Sequence, residues 1–202
     1  MKKLLSLFSV ILLCSFAHHN DPLSGQERKF ASEFLAKTED TLLAAVKGLS
    51  QAQLQFKSAP DRWSIEDCMK HIAIAEGGLW HMTDSIINTE ATPDKRKDIK
   101  ATDDQVIMMV TDRSHKQKAP ESFQPQNSPF KSFGDAESAF KTTHENLISY
   151  VNTSDKDLRN HVAVLPFGTF DTYQMILFIG SHTKRHTKQI LEVKADPNFP
   201  KK

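Results

Sequence analysis

The sequence predicts an all-α fold, a four-helix bundle of antiparallel type with a long crossover between helices two and three. Three observations carry that prediction. Four segments space their apolar residues alternately by three and four, the stripe of an amphipathic helix packed against others. Three of these segments open on a side chain suited to capping, Ser24, Ser64 and Asp171. Only 7 glycines and few runs of β-branched residues leave little material for a sheet. A chain of 202 residues supports one good core rather than two.

The N-terminus reads as a segment outside that core. Lys2 and Lys3 precede an apolar run, Leu4 to Leu13, that is too short to span a membrane. Small residues at Ser15 and Ala17 suit a signal peptidase, so residues 1–17 are expected to be a signal peptide, with the domain at 18–202. The expected location is periplasmic or secreted. The rival reading, a lipoprotein anchored at Cys14, is disfavoured because Leu13 stands where a small residue is normally required. Loss of Lys2 and Lys3 takes the formal charge from +1 to −1, since residues 1–17 contain no acidic side chain. A near-neutral chain offers no basic field for nucleic acid. Loss of Cys14 leaves Cys68 as the only thiol, so no intramolecular disulfide is expected.

Helix one is expected to begin at the Ser24–Glu27 capping box and end near Gly48, with Ala31, Leu35, Thr38, Leu42 and Ala45 inward. A polar link from Ser50 to Arg62 follows. Helix two opens after Ser64, with Ile65, Cys68, Ile72, Ala75, Leu79, Met82 and Ile86 on its seam and His71 at the seam's edge. Trp63 reads as an apolar staple at the helix entry, a substrate wall being the alternative. Residues 90–133 form the crossover. They hold a solvated basic run (Lys95, Arg96, Lys97, Lys100), a short helix over Asp103–Arg113, and Pro120, Pro125 and Pro129 as breakers. Helix three spans about 135–151, with His144 on its apolar stripe as a core or rim histidine held by a hydroxyl. Residues 160–170 make a tight approach to helix four, which Asp171 and Gln174 can cap.

Helix four carries the chemistry. Met175, Ile179, His182, His186, Gln189 and Val193 follow a 4-3-4-3-4 spacing, so both histidines occupy core positions one turn apart. Two buried neutral imidazoles without partners would cost a few kcal/mol. Either a divalent metal satisfies them, or Ser, Thr and backbone groups do. Thr183-Lys184-Arg185 between them lacks the glutamate of the His-Glu-x-x-His peptidases, which argues against that mechanism. Cys68, one turn before His71, reads as a small buried thiol.

Trp63-Ser64-Ile65 followed by His71, then the Gly168-Thr169 entry and His182-x-x-x-His186, resembles the DinB-like superfamily in order and placement over about residues 24–193. The resemblance implies a four-helix bundle in which one histidine of helix two and two of helix four hold a divalent metal. Carried onto this chain, the ligands are His71, His182 and His186. Three imidazoles leave coordination positions open, as in a catalytic site, and nitrogen ligation suits zinc or nickel. The implied activity is metal-dependent hydrolysis of a small molecule. The alternatives are a non-catalytic metal- or ligand-binding envelope protein, or a thiol-dependent transferase, which export argues against because such thiols are cytosolic cosubstrates. A small-molecule partner is expected, no nucleic acid and no membrane span. Homodimerisation, and a part for His144 in the site, are left open.

Overall fold

The computed structural model describes residues 23–116 and 118–201. The signal-peptide reading of residues 1–17, with Cys14, lies outside the described residues. The helices are α1 (Gly25–Val46), α2 (Gln51–Gln55), α3 (Ile65–Ile87), α4 (Asp103–Thr111), α5 (Phe133–Thr153) and α6 (Thr172–Lys194). Each begins on a side-chain cap. Ser24, Ser50, Ser64, Thr102 and Ser132 form reciprocal capping boxes with Glu27, Gln53, Asp67, Gln105 and Asp135, and Asp171 accepts from the Gln174 amide. The Ser50–Gln53 box makes a short helix, α2, inside the polar link Ser50 to Arg62, where the sequence reading placed no helix. A second difference lies before α6. Val162–Leu165 (β1) and Gly168–Asp171 (β2) pair as an antiparallel hairpin, with Leu165 opposite Gly168 across the Pro166-Phe167 turn. Gly168 has φ +152, a value that side chains rarely tolerate, which lets so short a turn close.

The four long helices form a square in which α1 touches α6 and α5, and α3 touches α6 and α5. Contacts at the ends give their directions. Tyr173 at the start of α6 donates to the Glu27 carbonyl at the start of α1, and Lys194 at its end donates to the Ala45 carbonyl, so α1 and α6 run parallel. Trp80 meets Tyr150 late in both α3 and α5, with ring centroids 4.9 Å apart, so these two also run parallel. Arg28 near the start of α1 reaches the Val151 carbonyl near the end of α5, so that pair is antiparallel. The bundle is thus up-down-down-up, and half of its neighbouring pairs are parallel rather than antiparallel. Parallel α3 and α5 require the intervening chain to travel back along the bundle. The 23 residues of α3 span about 34 Å at 1.5 Å per residue, which is why the crossover is long.

The crossover docks chiefly on α6, through α4. Arg159, after α5, ties its near end down by donating to Glu27 of α1, Asp103 of α4 and Asp171 at the α6 cap, at 2.6–3.0 Å. Gly180 sets the separation of α1 and α6. A Cβ there would lie 2.8 Å from Phe34 Cε1 and 3.0 Å from Leu35 Cδ2.

One polar cluster sits inside the bundle. His144 is fully buried, as expected of a core histidine, but its strongest partner is a carboxylate rather than a hydroxyl. Its Nδ1 lies 2.8 Å from Oε1 of buried Glu76, and its Nε2–H donates to the Leu35 carbonyl at 3.0 Å, with Thr38 Oγ1 at 3.4 Å. Thr183 of α6 donates to Oε2 of Glu76 at 3.2 Å, so three helices meet at one carboxyl group and α1 joins them through His144. Burial pushes Glu76 up from the ordinary carboxyl range. Burial also opposes charge on His144, but the hydrogen bond and charge of Glu76 prevail and raise it. Both directions keep one proton on the pair to higher pH in the folded chain than in the unfolded one.

Two outcomes follow. Gly180→Ala is expected to lower the unfolding free energy by about 1–3 kcal/mol through overpacking, read from urea midpoints. Glu76→Leu strands His144 without its carboxylate and is expected to cost about 3–5 kcal/mol. In the parent chain the contribution of the raised His144 is complete below the unfolded histidine pKa of about 6.5 and is lost as pH rises through its raised folded value, while that of the raised Glu76 is lost from about 4.3 upward through its own raised value. Urea titrations on both sides of that pH, with Glu76→Leu/His144→Phe as reference, should show this slope vanish in the double variant.

Candidate metal centre

Ser64 caps α3, and two turns later the helix turns His71 inward toward α6, where it is 3% exposed. On α6, His182 and His186 stand one turn apart on the edge of the buried face. His186 is 7% exposed and His182 is half-buried. Antiparallel packing of α3 on α6 brings the three rings to the same depth. His71 Nε2 lies 3.1 Å from His182 Nε2 and 3.1 Å from His186 Nε2. Among the described residues, these three form the cluster of His, Cys, Asp and Glu side chains able to hold a metal ion, with donor atoms all within 4.8 Å of one another.

The partners of the opposite ring nitrogens decide which atoms are free. His71 Nδ1 lies 2.7 Å from the Phe123 carbonyl. A carbonyl only accepts, so Nδ1 carries the proton and Nε2 carries a lone pair. His186 Nδ1 lies 2.9 Å from Gln189 Oε1, and Arg113 Nη1–H donates to the same oxygen at 3.3 Å. Arginine only donates, so that amide atom must be the oxygen, and His186 likewise presents an Nε2 lone pair. Burial lowers the pKa of His71, against the smaller opposing effect of the Phe123 carbonyl. Burial, then the neighbouring imidazoles, lowers His186 well below its ordinary value. His182 is lowered to about 3 by burial, then by His71 and the Arg185 charge. The three nitrogens are therefore neutral and convergent.

That donor set fits a divalent ion. Tetrahedral ligation at about 2.05 Å places nitrogens about 3.3 Å apart, close to the 3.1 Å found. Two lone pairs aimed at a common point also repel unless a cation or a proton lies between them.

Other histidines and the thiol fall elsewhere. His144 belongs to the Glu76 cluster, and His81 is exposed on the outside of α3. Cys68 is fully buried, and burial pushes its thiol up, so it remains a protonated small core residue. Trp63 is half-buried and does more than staple the helix. Its ring lies 4.7 Å from that of His71 and 5.9 Å from that of His186, forming one wall of the site. Glu76, Arg113, the Phe123 carbonyl and the part played by Gln189 were not read from the sequence. Gln189, three residues after His186, had a detectable signal in its spacing; a backbone carbonyl has none.

Comparison with known proteins places this geometry in a family. The model of the DinB superfamily matches residues 35–190. The uncharacterized protein YuaE of Bacillus subtilis (strain 168) is 27% identical over 150 residues, 74% of this chain and 88% of YuaE. Among solved structures, Bacillus subtilis YfiT, described as a probable metal-dependent hydrolase with an unusual four-helix bundle topology, is similar in fold. Its TM-score is 0.58 at 11% identity, over 86% of this chain and 89% of YfiT. No helix among the described residues is long and apolar enough to cross a membrane. With the family model spanning both the α3 and the α6 histidines, the chain belongs to the DinB superfamily.

Proposed function

We propose that this protein is a metal-dependent hydrolase of a small molecule, with His71, His182 and His186 holding the ion. The observation that carries the reading is the convergence of three neutral imidazole nitrogens at one point, two of them locked in the lone-pair tautomer from behind. The description of YfiT, similar in fold, supports the same class. A divalent ion in such a site acidifies water and polarises a carbonyl or phosphoryl oxygen. The chain's own residues supply the rest. Phe123 and Gln189 hold two imidazoles in register, and Trp63 shields one side of the ring cluster. The half-buried His182 edge is where a substrate approaches. Among the described residues, the buried carboxylate of Glu76 is committed to His144 and Thr183 and is assigned no role as a base at the metal centre. Nitrogen-only ligation favours zinc or nickel. Residues 1–17 would direct the protein out of the cytoplasm, a reading supported by Lys2, Lys3 and the Leu4–Leu13 run.

Elemental analysis of untagged protein should find about one zinc or nickel per chain. His71→Ala, His182→Ala and His186→Ala should each lose most of it, along with any ester or amide hydrolysis, while His81→Ala keeps both. Full occupancy in His71→Ala would defeat the reading, and metal without hydrolysis would redirect it to a binding protein or, if thiol adducts form, to a transferase. Because the imidazoles stay neutral below the ordinary histidine range, occupancy should change little from about pH 8 to about pH 6. N-terminal mass mapping of exported protein should begin near His18; an acylated Cys14 would replace that assignment.

A further inference from the structure

The crossover stands behind both locked imidazoles, directly at His71 and through Gln189 of α6 at His186. Phe123 and Arg113 lie between α3 and α5, in the segment that returns along the bundle, and neither comes from a helix that carries the histidines. The Phe123 carbonyl can reach His71 because the Phe123 ring is seated on α3 at Gly78. A Cβ at residue 78 would lie 2.8 Å from Phe123 Cε1 and 3.0 Å from Cζ. Gly78 sits in the interior of a long helix, where glycine is otherwise unfavourable, so its use there has a packing reason.

The second arm is built differently. Arg185, between the two α6 histidines, donates to the Val110, Asp112 and His115 carbonyls and holds the C-terminal end of α4. Arg113 then follows, gripping Glu192 with two hydrogen bonds of 2.6 and 2.8 Å and donating to Gln189 Oε1. Without that donor the Gln189 amide is free to turn its nitrogen toward His186, which would reverse the imidazole tautomer.

We propose that the crossover is the outer coordination shell of the three-histidine centre, with Gly78 seating Phe123 behind His71 and Arg113 orienting Gln189 behind His186. Gly78, Phe123 and Arg113 are then positioning residues for the metal, and ion affinity reports whether the crossover is docked. The inference rests on the metal reading above.

The experiment uses the full chain, with zinc alone as the probe. Zinc affinity is measured by chelator competition, and the Nδ1–H signals of His71 and His186 are followed by nitrogen-15 NMR. Gly78→Ala should weaken zinc by about tenfold or more and disturb the His71 signal while leaving that of His186. Alanine favours a helix interior, so loss of helix cannot account for the effect. Phe123→Leu in the Gly78→Ala background removes the ring atoms that clash and should restore most of the affinity. Arg113→Met should weaken zinc by about tenfold and disturb His186 but not His71. If the parent chain binds zinc and the single variants match it in affinity and in both signals, the inference fails and the metal reading stands. A Gly78→Ala loss that Phe123→Leu does not rescue, or signals that move together, also overturns it. A parent chain that takes up no zinc defeats both.

Discussion

The parallel pairing of α3 with α5 is the constraint on which the rest of the molecule depends. A chain leaving one end of α3 must regain its starting level before α5 can begin, and a tight turn cannot do that. The return path runs across α6 and past the start of α3, where the histidines lie. Arg159 fastens one end of this path through three carboxylates, and Arg185 and Arg113 fasten a second stretch to α6. A topology imposed by helix direction thereby places a carbonyl and a guanidinium behind the candidate ligands.

Two buried polar clusters share the bundle and solve opposite problems. At Glu76 and His144 a proton lies between donor and acceptor, every strong partner is present, and the group joins α1, α3, α5 and α6. At His71, His182 and His186 the facing nitrogens carry lone pairs, and the protons are held on the far sides of two rings. The first cluster is complete within the chain. The second has donor capacity left over, which is what makes it a site rather than part of the core.

Much of the fold was legible because its signals are local. Capping side chains and the spacing of apolar residues act within one or two turns, so the four long helices, the core positions of His182 and His186 and the place of His71 at the edge of its seam are legible directly. The hairpin of β1 and β2 was harder to see, since four residues per strand are too few to establish an alternation and Gly168 alone marks the turn. His144 had the same helical position whether its partner was a hydroxyl, a carboxylate or a metal. Glu76 carries no such signal, because a glutamate beside an apolar seam reads as a solvated residue until its partner from another helix is known.

By itself, then, the sequence determined the four long helices, their buried faces and which histidines stand on or beside those faces, because each of these follows from periodicity and capping along a single segment. Only the tertiary structure decided the up-down-down-up order, the separation of His144 from the three-histidine cluster, and the tautomers of His71 and His186. These depend on contacts between residues far apart in the chain, such as Phe123 with Gly78 and Arg113 with Gln189. Hydrogen-bond direction is set by the partner as much as by the residue itself, and the partner is chosen by packing.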